Sequence, residues 1–194
     1  MCHYCGCREL PLLRDYIAEH ERAMDHGGEA VRALDRGEHE RARELLTAMA
    51  DELRSHWRGE ENGLFAVMRS EDLFAEHIDP LVREHRELEA LLEAVDLSDS
   101  HDQDRVRKAV IDLHEHIAKE EDGLFPAALT ALDGVEWAAA LAAGRAAPPG
   151  RGMIDAGRPG RDGSLRTCRG GSSSPVSRCA AAAEAGSTRD PVAL

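Results

Sequence analysis

The stretch His56-Trp57-Arg58-Gly59-Glu60-Glu61-Asn62-Gly63-Leu64-Phe65 is written a second time as His116-Ile117-Ala118-Lys119-Glu120-Glu121-Asp122-Gly123-Leu124-Phe125. Both copies read His-x-x-x-Glu-Glu-x-Gly-Leu-Phe. A match of this length marks an internal repeat, and repeats set the architecture of a chain. Residues four apart on a helix share one face, with Cβ atoms roughly 6 Å apart. Each copy therefore aims an imidazole and a carboxylate in one direction, where both can reach one metal ion.

Outward from the repeat, apolar residues recur at steps of three, four or seven, as one helix face requires. The first stripe is Leu13, Ile17, His20, Met24, Val31 and Leu34. Gly27 and Gly28 weaken it, at roughly 1 kcal/mol each against Ala, and Gly37 marks its stop. The second runs Leu46, Met49, Leu53, His56, Glu60, Leu64 and Val67. The third runs Phe74, Ile78, Leu81, His85, Leu88, Leu92 and Val95, with Pro80 read as lying near its start, where a helix tolerates proline. The fourth runs Val106, Val110, Leu113, His116, Glu120, Leu124 and Ala127, and Pro126 is expected to bend or interrupt it near its end. Residues 96–102 are a turn rich in helix-capping side chains, and residues 133–146 suggest a short Ala-rich helix. The predicted fold is all-α: an antiparallel up-down-up-down four-helix bundle over residues 10–146.

Six polar residues interrupt these apolar stripes: His20, His56, Glu60, His85, His116 and Glu120. One histidine on such a stripe is ordinarily a core residue with its hydrogen bonds met. Two carboxylates are different, because burying each without a partner costs several kcal/mol. Bound cations supply the compensation, and a His plus carboxylate set suits iron, manganese or zinc. The six together predict a dinuclear metal site. His26, His39, His77, His101 and His114 fall on other faces, at helix starts or turns away, and are read as surface or outlying residues. Tyr16 and Trp57 border the stripes as packing residues. Glu61 and Glu121 are read as solvated neighbours, and the Gly-Leu-Phe of each copy as packing below the metals.

The order His20…His56-x-x-x-Glu60, then His85…His116-x-x-x-Glu120, resembles the hemerythrin family, in its HHE cation-binding branch. The context repeats as well, Glu19-His20-Glu21 matching Glu84-His85-Arg86. The resemblance covers about residues 10–132. It implies a non-haem centre of two iron ions, oxo- or hydroxo-bridged, with Glu60 and Glu120 bridging and the four histidines as terminal ligands; manganese or zinc fit the same donors. Two features depart from the oxygen-carrying members. Leu81 stands where they place a further histidine. Their last bridging acid lies five residues past its histidine, which here is Glu121, so Glu121 stays an alternative to Glu120, as does Glu61 near the first pair. Four histidines leave more coordination positions open, which favours reactive or sensing chemistry over reversible oxygen carriage.

Composition narrows the function classes further. The formal net charge is −13, and the last 48 residues hold seven Lys and Arg against four Asp and Glu, so the first 146 carry −16. An acidic folded part opposes non-specific nucleic-acid binding, which depends on neutralising phosphates, and docking on anionic membranes. No apolar run approaches the ~20 residues of a membrane span, and the N-terminus lacks the features of a secretory signal. The expected location is cytoplasmic. Residues 1–9 form a Cys-rich strip in which Cys2, Cys5 and Cys7 could hold a soft metal, with His3 as a fourth ligand, or act in redox chemistry. From Ala147 the chain turns rich in Gly and Pro and loses periodicity, so residues 147–194 are expected to be disordered. The expected function is cation binding with dioxygen, peroxide or nitric oxide as the small-molecule ligand. The alternatives are a peroxide-decomposing enzyme at the same centre and an iron or redox sensor acting through a protein partner.

Overall fold

The computed structural model describes residues 6–70 and 72–146, all within one compact unit. Cys2, Cys5, His3 and the predicted tail from Ala147 lie outside the described residues. Within them every regular element is helical. After a short 3-10 turn (Cys7–Glu9) come α1 (Pro11–Asp35), α2 (His39–Asn62), α3 (Leu64–Met68), α4 (Asp72–Ala94) and α5 (Ser100–Lys119). A π-helical segment (Glu120–Leu124) then leads into α6 (Phe125–Ala131) and α7 (Gly134–Ala146). No helix among the described residues is long and apolar enough to cross a membrane.

Local chemistry accounts for the ends. Pro11 opens α1, where its missing N–H is not needed. Gly37, at φ 72°, closes it: the Gly37 N–H bonds the Leu34 carbonyl and the Glu38 N–H the Ala33 carbonyl. The Asp99 side chain caps α5 by accepting from the His101 N–H at 3.0 Å.

The core is two apolar clusters with a polar layer between them. One gathers Ala23, Leu34, Leu46, Met49, Leu53, Trp57, Val106, Leu113 and Ile117. The other gathers Leu13, Tyr16, Ile17, Leu64, Phe65, Met68, Phe74, Ile78, Leu81, Leu124, Phe125 and Ala140. The doubled Leu-Phe is buried in both copies, each side chain contributing roughly 1.5–3 kcal/mol. It packs at the site's edge as expected, with Phe65 stacked on His85 and Phe125 on His20, ring centroids 6.1 Å apart in each case.

Two local expectations need correction, and a third is met. The second stripe is not one helix: α2 stops at Asn62 and α3 starts at Leu64. Gly63 makes the break, because a Cβ there would stand 2.5 Å from the Gly59 carbonyl oxygen, 2.9 Å from that of Ala140 and 3.1 Å from the Gly144 nitrogen. The chain needs glycine here to let α7 close in backbone to backbone. Pro80 lies inside α4, well past its first turn. The carbonyl it leaves unbonded belongs to the exposed Glu76, which water can serve, while Phe74 and Ile78 ahead of it are held by burial. The fourth helix is interrupted just ahead of Pro126, as expected. Pro126 occupies the first turn of α6, and the ladder reaches it by widening, with the Phe125 N–H bonding the Glu120 carbonyl five residues back.

Candidate metal centre

The polar layer contains His20 from α1, His56 and Glu60 from α2, His85 from α4, His116 from α5 and Glu120 from the start of the π segment. All six are buried, Glu60 and Glu120 completely. Ligand atoms of His20, His56, Glu60 and Glu120 lie within 4.8 Å of one another, and so do those of His85, His116 and Glu120. Glu120 belongs to both groups. Its Oε2 is 3.2 Å from His20 Nε2, while its Oε1 is 3.0 Å from His116 Nε2 and 3.7 Å from His85 Nε2. Glu60 Oε2 is 3.2 Å from His56 Nε2 and 3.8 Å from His85 Nε2.

Glu61 and Glu121 are not in this cluster, nor are they merely solvated. Together with Glu19 and Glu84 they stand behind the histidines, one carboxylate to each Nδ1. His56 Nδ1 is 2.9 Å from Glu19, His116 Nδ1 2.8 Å from Glu84, His85 Nδ1 3.0 Å from Glu61 and His20 Nδ1 3.1 Å from Glu121. The pattern is a pseudo-two-fold. Glu19 and Glu84 hold the second histidine of their own unit, whereas Glu61 and Glu121 reach across to the first histidine of the other. Arg86 pairs with Glu61, Arg8 with Glu121 at 2.9 Å and Lys119 with Glu84 at 2.6 Å. Against the upward push of burial, His85 and Arg86 hold the Glu61 carboxyl below its ordinary value. Lys119 and His116 do the same for Glu84, and His20 and Arg8 for Glu121.

These outer carboxylates fix the tautomers. An ionised carboxylate only accepts, so each Nδ1 carries the proton and donates it, leaving Nε2 with a lone pair directed inward. The inward nitrogens meet in pairs, His20 to His56 at 2.8 Å and His85 to His116 at 3.0 Å. Two lone pairs at that distance repel unless a cation stands between or beside them. The four oxygens of Glu60 and Glu120 are buried without a hydrogen-bond partner, an arrangement costly enough to require a counter-charge. Where no metal is bound, protons on the inward nitrogens supply part of it. Burial opposes charge on His116, but Glu120 and Glu84 outweigh it and hold the imidazole up at about 9. His56 is raised by Glu60 and Glu19 against the same burial penalty, and His20 by Glu120 and Glu121 against burial and its neighbour His56. Burial acts upward on Glu120, yet His116, His20 and His85 keep it well below the ordinary carboxylate range. Two anionic oxygen donors, four oriented nitrogens and no competing hydrogen bonds fit divalent or trivalent first-row metal ions.

Tyr16 and Trp57 wall the site. Tyr16 meets the His56 ring edge-on at a centroid distance of 5.3 Å, and Trp57 stacks on His85 at 4.8 Å. The Tyr16 hydroxyl and the Trp57 indole N–H are buried without a hydrogen-bond partner, so both act here as packing. Burial first, then Glu60, Glu19 and Glu120, push the Tyr16 phenol far above its ordinary value, keeping it neutral. None of His26, His39, His77, His101 or His114 joins the cluster.

The outer carboxylates were missed because sequence spacing ranks residues by the face they occupy, and these four flank the stripe. The signal was in the repeat: both copies carry Glu before the first histidine and a second Glu after the inward one. A family model described as the hemerythrin HHE cation binding domain matches residues 12–128. No curated protein and no solved structure gives a match to the chain. The matched span includes all six clustered residues and their four outer carboxylates, and with it the chain belongs to the hemerythrin HHE cation binding domain family.

Proposed function

We propose that the centre holds two metal ions, iron by preference, and that the pair interacts with dioxygen or a related small oxidant, peroxide or nitric oxide. His20, His56 and Glu60 would hold one ion, His85 and His116 the other, with Glu120 shared. The observation that carries this reading is the placement of Glu120, whose two oxygens turn to different histidine pairs and have no other partner. Iron bound there would supply redox chemistry and affinity for small oxygen or nitrogen ligands. The protein's part is to hold the ions at a fixed separation, orient the imidazoles through their Nδ1 bonds, and keep the layer dry between two apolar clusters. Manganese and zinc accept the same donors, so the resident metal is settled by analysis of the purified protein.

The bundle is read as antiparallel, up-down-up-down, over residues 10–146. Contacts along α1 and α2 run in opposite order in support: Tyr16 against Gly59, His20 against His56, Gly27 against Met49.

Metal content and the optical spectrum before and after peroxide test the reading. Two metals per wild-type chain and fewer than one in Glu120→Ala, with helix content unchanged, are expected. Equal metal content in the two proteins would refute the shared carboxylate. Oxygen evolution from added peroxide, lost in Glu60→Ala, would assign peroxide decomposition to the centre.

A further inference from the structure

The four outer carboxylates are not equally compensated. Glu121 accepts from His20 Nδ1 on one oxygen and from Arg8 on the other, at 3.1 and 2.9 Å. Glu84 divides its oxygens in the same way between His116 Nδ1 and Lys119, at 2.8 and 2.6 Å. Glu61 does so between His85 Nδ1, at 3.0 Å, and Arg86. Glu19 accepts from His56 Nδ1 at 2.9 Å and has no Lys or Arg in ion-pair contact among the described residues. The outer charges of the His85/His116 half therefore cancel, two cations against two carboxylates, while those of the His20/His56 half leave −1, one cation against two. The uncompensated carboxylate is also the least solvated. Glu19 is 6% exposed, against 14%, 19% and 32% for Glu121, Glu61 and Glu84, so its charge is the least screened. Glu60 acts in the same sense, its nearer oxygen standing 3.2 Å from His56 Nε2 and 3.8 Å from His85 Nε2. Acids on the surface do not reverse the balance. Exposed Glu87 and Glu115 flank the one half and exposed Glu21 and Asp122 the other, and Asp112 is held by Lys108 at 2.6 Å.

A carboxylate behind Nδ1 raises the basicity of an imidazole, and a more basic ligand favours the higher charge state of its metal. A cation on the carboxylate's other oxygen draws that density back. We propose that Arg8, Arg86 and Lys119 are positioning residues of the centre, each setting the donor strength of one histidine through its carboxylate, and that their uneven distribution gives the two metal ions unequal reduction potentials. The ion at His85 and His116 takes the first electron. The ion at His20 and His56, backed by the bare Glu19, keeps its higher charge until the second. The assignment rests on the two-metal reading above and is stated for iron, each step adding one electron to one iron(III) to give iron(II).

Anaerobic titration of the iron(III)-loaded full chain with dithionite and redox mediators, followed by absorbance, tests it. The wild type takes up two electrons in two separate one-electron steps. Arg86→Gln and Lys119→Gln each move the first step to lower potential and leave the second in place, and Arg8→Gln lowers the second. Glu19→Gln keeps an acceptor for the His56 Nδ1–H while removing the charge. It raises the second step by roughly tenfold in the reduction equilibrium, about 59 mV for one electron. Lys119→Arg keeps the charge and retains the wild-type potentials. The Arg86 and Lys119 side chains are 56% and 52% exposed, so glutamine there leaves the fold intact and carries the test even where Glu19→Gln loses iron. A single two-electron step in the wild type, potentials unmoved by Arg86→Gln and Lys119→Gln, or those two variants lowering the second step instead of the first, overturns the proposal while two irons per chain still uphold the two-metal reading. Fewer than two irons in the wild type brings down both.

Discussion

The carboxylates behind the four histidines respond to substitution in a definite order. Glu19→Ala removes the acceptor of the His56 Nδ1–H, a 2.9 Å bond in a place where only 6% of the acceptor side chain meets solvent. Water cannot take its position, so the ring loses both its orientation and its fixed tautomer. Losing the outer partner of a metal-bound histidine costs about 10–100-fold in metal affinity, which is roughly 1.4–2.7 kcal/mol. Glu19→Ala belongs at the upper end. Glu84→Ala belongs at the lower end, about tenfold, because that side chain is 32% exposed and water replaces the carboxylate at His116. Glu61 and Glu121, at 19% and 14%, fall between. The assay is competition of the loaded protein against a chelator of known affinity at fixed pH, with circular dichroism of each metal-free variant to establish that the helices are intact. Through mass action a 100-fold loss also removes about 2.7 kcal/mol of metal-dependent stabilisation when metal is in excess. Four variants indistinguishable from wild type, or Glu84→Ala costing more than Glu19→Ala, would refute the reasoning.

Two further outcomes follow from the same structure. Gly63 and Gly123 hold equivalent places in the repeat, yet Gly63→Ala forces a Cβ onto three backbone atoms while a Cβ at Gly123 meets nothing within 4 Å. Thermal melts should show Gly63→Ala destabilised by about 1–3 kcal/mol and Gly123→Ala unchanged or slightly more stable; equal effects would remove the close approach of α7 as the reason for the first glycine. The pH dependence should reverse with metal. In the metal-free protein His116 is raised from 6.5 to about 9, so its contribution is complete below 6.5 and is lost as pH rises through about 9. His20 and His56, also raised, act in the same direction. The chelated protein should therefore melt lower as pH rises through that range. The loaded protein should instead lose metal and stability on acidification, because its ligands must be deprotonated to bind. A flat melting curve for the chelated protein from 6.5 to 9 would contradict the buried charge pairs.

Much of the molecule is written in local pattern. Apolar residues at helical spacing define the four long helices because a helix must bury one face, and His20, His56, Glu60, His85, His116 and Glu120 stand out because charge on such a face has a cost that only a partner offsets. Both facts need no knowledge of which helix meets which, and residues four apart share a face in any helix. Identical repeat sequences did not determine identical backbones: the first copy breaks at Gly63 because α7 presses on it, and the second widens into a π turn ahead of Pro126. Nor did spacing distinguish Glu61 and Glu121 from solvated neighbours, since their partners are His85 and His20 on the other unit, 24 and 101 residues away in sequence. Spacing likewise does not show that Glu120 stands with both histidine pairs, since that depends on how the helices meet around it. The sequence alone determined the helices and the six residues of the polar layer. Tertiary packing decided which carboxylate orients which histidine, because that depends on distances between helices that no residue spacing encodes.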